Sequence, residues 1–176
     1  DGLQGDALHN IYALLYNRCV YEAAQRYSRD GAFLFSRAGW SSSQRYPSQW
    51  GGDPQADWGG LAGNLRSGLS WGVSGAPFYA TDVGGFYGDQ RDPVLYVRWL
   101  QAAVFSAHLR LHGIGPREPW SYGPEAEALA MQALALREQL RPYLRKVVEQ
   151  ASRTGLPVQR PMVLACPTDR ASWAFE

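Results

Sequence analysis

The chain has 176 residues, 45% of them hydrophobic, with 17 Lys+Arg against 16 Asp+Glu. This is the length of one domain and the composition of a packed core, which sets aside an intrinsically disordered chain. The near balance of charge gives no electrostatic reason to expect nucleic acid or an anionic membrane as partner.

Cys19 and Cys166 stand far apart in no CxxC pattern, and His9, His108 and His112 in no HExxH spacing. No disulfide framework, metal site or other cofactor is therefore expected. No apolar run is long enough to span a bilayer. The chain opens on Asp1 rather than Met, so its true start is expected to lie upstream and the compartment stays unassigned.

Residues 6 to 28 read as a helix, with Leu8, Ile11, Tyr12, Leu15, Cys19 and Val20 at helical spacing and Asp6 as cap. Cys19 is expected to be a buried free thiol. Ala32 to Ser36 is a continuous apolar run, as in a strand covered on both faces. A long loop, Arg37 to Asp53, follows it. Ala56 to Ser70 reads as the next helix, with Trp58, Leu61, Leu65 and Leu69 on one stripe, although Gly59, Gly60, Gly63 and Gly68 weigh against its length.

A second strand is expected over Ala76 to Ala80, and Asp82 to Phe86 as the loop after it, with Gly84-Gly85 as a tight turn. Asp92-Pro93 opens a helix as N-cap and N1 proline, and that helix should break near Ala102 to Ser106. A third strand is expected over Ala107 to Leu111. Glu125 to Ser152 is helical by composition, with Leu129, Leu136, Leu140, Leu144, Val147 and Val148 as buried candidates and Pro142 kinking or dividing it. Tyr12, Trp99 and Tyr143 read as core aromatics. Gly155 is a natural C-cap, and Leu156 to Cys166 reads as extended chain. The only candidate boundary falls near Arg160-Pro161.

Strands alternating with helices, each strand a non-alternating apolar run, indicate an α/β fold with a parallel sheet. Arg37, Asp82 and His112 each follow a predicted strand directly, and Asp53 sits in the loop after the first. Those loops open on one face of the sheet, the face that carries active sites in a (β/α)8 barrel. The Arg37–Asp53 loop also holds Trp40, Tyr46 and Trp50 among Gly, Ser and Gln. Flat apolar faces beside hydrogen-bonding groups suit a sugar ring. Asp1, Asp6, Asp57 and Asp89 read as caps or solvated loop acids. Spacing and chemistry alone pair Asp53 with Asp82 and make Asp82 the nucleophile.

The motifs resemble glycoside hydrolase family 31. They are Arg37-Ala-Gly, Gln44-Arg-Tyr-Pro47, Trp50-Gly-Gly-Asp53, Ser74-Gly75 and Asp82-Val-Gly-Gly-Phe86, then Arg98-Trp99, Phe105-Ser106, Arg110-Leu-His-Gly113, Arg117-Glu-Pro-Trp120, Arg141-Pro-Tyr-Leu144 and Gly155-Leu-Pro157, in the family's order. The resemblance implies the C-terminal half of a (β/α)8 TIM barrel, about strands five to eight, over residues 1–160. It further implies the start of a β-sandwich domain over 161–176. It implies a retaining α-glycosidase acting on terminal α-linked glucosides or xylosides in an oligosaccharide or glycoside substrate. Asp53 would be the acid/base, with burial beside aromatics and a neighbouring carboxylate expected to keep it protonated. Arg37, Trp50, Asp82 and His112 would bind the substrate, and the nucleophilic Asp would lie upstream of residue 1, which argues against Asp82 in that role. Val83 departs from the family's usual Ile. A non-catalytic carbohydrate-binding relative, a transglycosylase or lyase, and a homo-oligomer all stay open. The run Ala62 to Ser70 leans toward α-xylosidases.

Overall fold

The computed structural model describes residues 2, 4–46, 48–88 and 91–174. Asp1, Asp89 and Pro47 therefore lie outside the described residues. The elements are α1 (Gly5–Tyr27), β1 (Gln49–Trp50), α2 (Trp58–Val73), β2 (Tyr79–Asp82), α3 (Pro93–Ala103), β3 (His108–Arg110), α4 (Pro124–Thr154) and α5 (Met162–Ala165), with 3-10 turns at Ser43–Arg45, Pro119–Tyr122 and Arg170–Trp173.

The three strands form one parallel sheet in chain order, Trp50 beside Ala80 and Asp82 beside Arg110. Helices connect them, as parallel pairing requires. The expected strand at Ala32 to Ser36 is reduced to a single parallel bridge, Ser36 to Gln49. The Ser36 N–H donates to Ser48 O at 2.9 Å and the Trp50 N–H to Ser36 O at 3.3 Å, so this segment still runs as a fourth line beside β1.

The strand absent from the sequence reading is β1. Gln49–Trp50 is two residues long and follows Ser48, so no apolar run announces it, although Ser48 and Gln49 are fully buried. Asp53 consequently follows a strand of its own rather than the end of a long loop. The second strand is displaced toward its C-terminus, which makes Asp82 its last residue. Chain 156–166 is not wholly extended, because α5 occupies Met162–Ala165.

The core lies between the sheet, α3 and α4. Asp92 accepts from the Val94 and Leu95 N–H groups and starts α3, whose Leu95, Tyr96, Trp99 and Leu100 are almost wholly buried. Trp99 Nε1 donates to Thr81 Oγ1 at 2.8 Å and pins the helix to β2. Against α3, α4 presents Ala126, Ala130 and Ala133 rather than the expected leucines; Leu129 and Leu136 are exposed. Small side chains allow the close approach of two helices, and Leu134 packs at the margin of that contact. α4 runs through Pro142 as one element, and Gly155 caps it at φ 75°.

Gly68 of α2 has a packing reason. A Cβ at Gly68 would lie 2.8 Å from the Tyr79 ring. Asp57 caps the helix by accepting from the Gly60 N–H. Gln4, not Asp6, is the N-cap of α1. The expected inner face of α1 is not covered by this chain: Tyr12 and Leu15 are exposed, as is Cys19, and Asn17 is the buried residue, donating to Ala38 O at 3.0 Å. Tyr143 is likewise exposed, while Trp99 is core as expected. Among the described residues no helix is long and apolar enough to cross a membrane.

Candidate active site

The C-terminal ends of four parallel lines supply one polar group each: Arg37 after Ser36, Asp53 after β1, Asp82 closing β2 and His112 after β3. Arg37 Nη1 lies 3.6 Å from Asp53 Oδ2, with 38% of the Asp53 side chain exposed. The burial expected around Asp53 is thus not supplied by this chain. Gly51 and Gly52 make this loop feasible. A Cβ at Gly51 would overlap the Tyr79 hydroxyl, and one at Gly52 (φ 97°) would press to 3.2 Å from Arg37 Cδ.

Trp50 stacks on Phe35, ring centroids 4.9 Å apart and planes 9° from parallel. The Arg110 guanidinium lies 4.8 Å from the Phe35 ring and 5.0 Å from that of Trp50, within cation–π range. Arg110 also donates from Nε to Asp82 Oδ1. Asp82 is completely buried, and its Oδ2 has no hydrogen-bond partner. Burial pushes its carboxyl above the ordinary range, the nearby charge of Asp53 adds to that, and Arg110 and His112 oppose it.

Asp53, Arg37 and His112 are therefore open to solvent and could meet a ligand. Asp82 reaches the site through Arg110 instead, and its burial is at odds with attack on an anomeric carbon. His112 packs against Phe86, ring centroids 5.4 Å apart. Arg110 and Phe86 stand in the quoted motifs, but neither they nor Phe35 carry a site role in the sequence analysis. The alternation of β3 could have found Arg110, two residues before His112 on the same strand line and opposite Asp82. Among the described residues no three His, Cys, Asp or Glu side chains cluster as a metal site would need.

Residues 1–147 match the sequence model of the glycosyl hydrolases family 31 TIM-barrel domain. The whole chain aligns at 40% identity with an α-xylosidase of Emericella nidulans, covering 23% of that protein. It aligns at 36% over 94% of its length with a probable glucan 1,3-α-glucosidase of Oryza sativa subsp. japonica, covering 18% of it. Among solved structures, a family 31 dextranase of Flavobacterium johnsoniae complexed with glucose superposes with a TM-score of 0.89 at 33% identity, over 97% of this chain and 23% of that one. The chain spans less than a quarter of the length of these three relatives. It belongs to glycoside hydrolase family 31, as a part of that family's TIM-barrel domain.

Proposed function

We propose that this chain is the C-terminal half of the catalytic barrel of a longer retaining α-glycosidase, running near Arg160-Pro161 into a β-sandwich domain. The substrate is a terminal α-linked glucoside or xyloside, in keeping with the α-xylosidase and α-glucosidase names of its relatives. The observation that carries the reading is the Asp53 carboxylate, solvent-open beside Arg37 on the end of the sheet where barrel active sites form.

A retaining glycosidase needs two carboxyl groups about 5–5.5 Å apart. One attacks the anomeric carbon. The other protonates the departing oxygen and then takes a proton from the incoming water. Asp53 fills the second role, and an Asp upstream of residue 1 fills the first. That half of the barrel would also supply the burial Asp53 lacks here. Arg37 offers several donors to sugar hydroxyls and stays charged, so it binds without exchanging protons. His112 contributes a further hydrogen bond, and Trp50, backed by Phe35 and Arg110, forms an apolar wall.

The test is Asp53→Ala in the full-length enzyme. Turnover of α-glycosides with poor leaving groups should fall roughly 100-fold or more, and that of activated aryl glycosides far less, because an activated oxygen departs without a proton. Azide should partly restore the rate and yield the α-glycosyl azide, since a small anion attacks the glycosyl-enzyme without a general base. Equal losses on all substrates with no azide product would sink the assignment. Aryl α-xyloside and α-glucoside, compared on the wild type, decide between the two sugars; inactivity on both would remove both.

A further inference from the structure

Arg117 is buried, 7% exposed, and touches none of Arg37, Asp53, Asp82 or His112 by a hydrogen bond. It grips the backbone between them. Its Nε donates to Gly85 O at 2.6 Å, Nη1 to Pro116 O at 2.9 Å and Nη2 to Phe86 O at 3.5 Å. The Tyr96 hydroxyl donates to the carbonyl of Arg117 itself at 2.8 Å, and the Tyr96 ring stacks on Tyr122 with centroids 4.0 Å apart. The guanidinium has no spare room, since a Cβ at Gly113 would lie 2.9 Å from its Nε and one at Gly84 3.2 Å from its Cδ.

The segment it grips, Gly84 to Tyr87, is a brace between two loops. On one side the Phe86 and Tyr87 N–H groups donate to Pro54 O at 2.7 and 3.3 Å, and the Ala56 N–H donates to Tyr87 O at 2.8 Å. That fastens the loop that begins at Asp53. On the other side the Ile114 N–H donates to Phe86 O at 2.8 Å, which fastens the loop that begins at His112, and the Phe86 ring meets the His112 ring. A buried charge costs several kcal/mol unless its donors are met. Here main-chain carbonyls meet them, and only a planar fork of fixed donors reaches Gly85, Phe86 and Pro116 together.

We infer that Arg117 is a positioning residue for glycoside cleavage, holding Gly84–Tyr87 as the common brace that sets Asp53 and His112 relative to one another. The inference rests on the proposed roles of those two residues. Arg137 supplies a matched control. It too donates only to carbonyls, Val104 at 2.7 Å and Ser106 at 2.9 Å among them, but at the end where β3 begins, away from the site.

The experiment compares Arg117→Lys and Arg137→Lys in the full-length enzyme, with Arg117→Gln as a second variant should the lysine fail to fold. Misplacement of a reacting group by about 1 Å can cost roughly 100-fold. Arg117→Lys should therefore lower kcat roughly 10- to 100-fold with KM within about threefold, and should speed amide hydrogen exchange in both flanking loops, at Tyr87 and Ile114. Arg137→Lys should lower Tm comparably yet leave kcat within about twofold. Equal kcat losses in the two variants, or unchanged exchange at Tyr87 and Ile114, would overturn the inference. A wild-type enzyme inactive on α-glycosides would refute the proposed function instead, and the exchange data would then judge the brace alone.

Discussion

Asp53 and Asp82 both stand at the C-terminal ends of adjacent strands, Asp53 just beyond β1 and Asp82 closing β2, and their surroundings separate them. Asp82 is sealed in and bonded to Arg110; Asp53 is open and beside Arg37. The folded chain holds the Asp82 proton more tightly than an unfolded one does. In the window from the ordinary carboxylate value up to Asp82's raised one, the native state therefore binds more protons than the unfolded state. Stability falls as pH rises through that window, by up to about 1.4 kcal/mol per pH unit. Asp82→Asn should remove that slope, so the stability difference between variant and wild type shifts in the variant's favour as pH rises. Urea titrations across the acid range check this; a difference flat with pH would contradict it.

His108 carries the opposite dependence. Burial, aided by Arg137, pushes its imidazole below its ordinary value. The unfolded state then binds more protons, so the stabilisation is complete above about pH 6.5 and is lost as pH falls below it. Phe33 and Phe35 meet the ring edge-on, at 5.4 and 5.8 Å. His108→Phe should flatten the loss of Tm between pH 7 and 5, measured by calorimetry. An unchanged pH profile would refute the assignment.

At the scale of elements, α2 separates a packing glycine from an idle one. Gly63 has nothing within 4 Å of a built Cβ, whereas Gly68 faces the Tyr79 ring. Gly63→Ala should stabilise by roughly 0.5–1 kcal/mol through helix propensity. Gly68→Ala should destabilise by roughly 1–3 kcal/mol through overpacking. Opposite shifts in Tm are expected, and the same sign for both would contradict the packing account. The sequence displayed α2 and α3 because caps and apolar spacing are local signals. It concealed β1, where burial falls on Ser48 and Gln49 rather than on an apolar run. It also concealed the α4 contact, because pattern reading ranks leucine above the alanines that touch α3. The placement of Arg37, Asp53 and His112 on one end was legible from strand polarity, while the burial of Asp82 under Arg110 depends on a cross-strand pair that no local pattern announces.

At the scale of the whole molecule, the exposed aromatics and aliphatics of α1, Ile11, Tyr12, Leu15 and Tyr16, together with a sheet that does not close among the described residues, fit a part of a TIM-barrel domain. Barrel closure removes edges that otherwise invite pairing. Residues 1–176 expressed alone should self-associate and leave aryl α-glycosides intact, as size exclusion and an activity assay would show. A compact, active monomer would overturn this and restore Asp82 as nucleophile.

On the proposed function, this chain supplies the acid/base while the attacking carboxylate comes from outside it. Labelling the full-length enzyme with a 5-fluoro α-glycosyl fluoride, which accumulates the covalent glycosyl-enzyme, and locating the sugar by peptide mass spectrometry identifies the attacking residue. The label is expected on an Asp upstream of residue 1, with none within residues 1–176. A label on Asp82, or on Asp53, would contradict it.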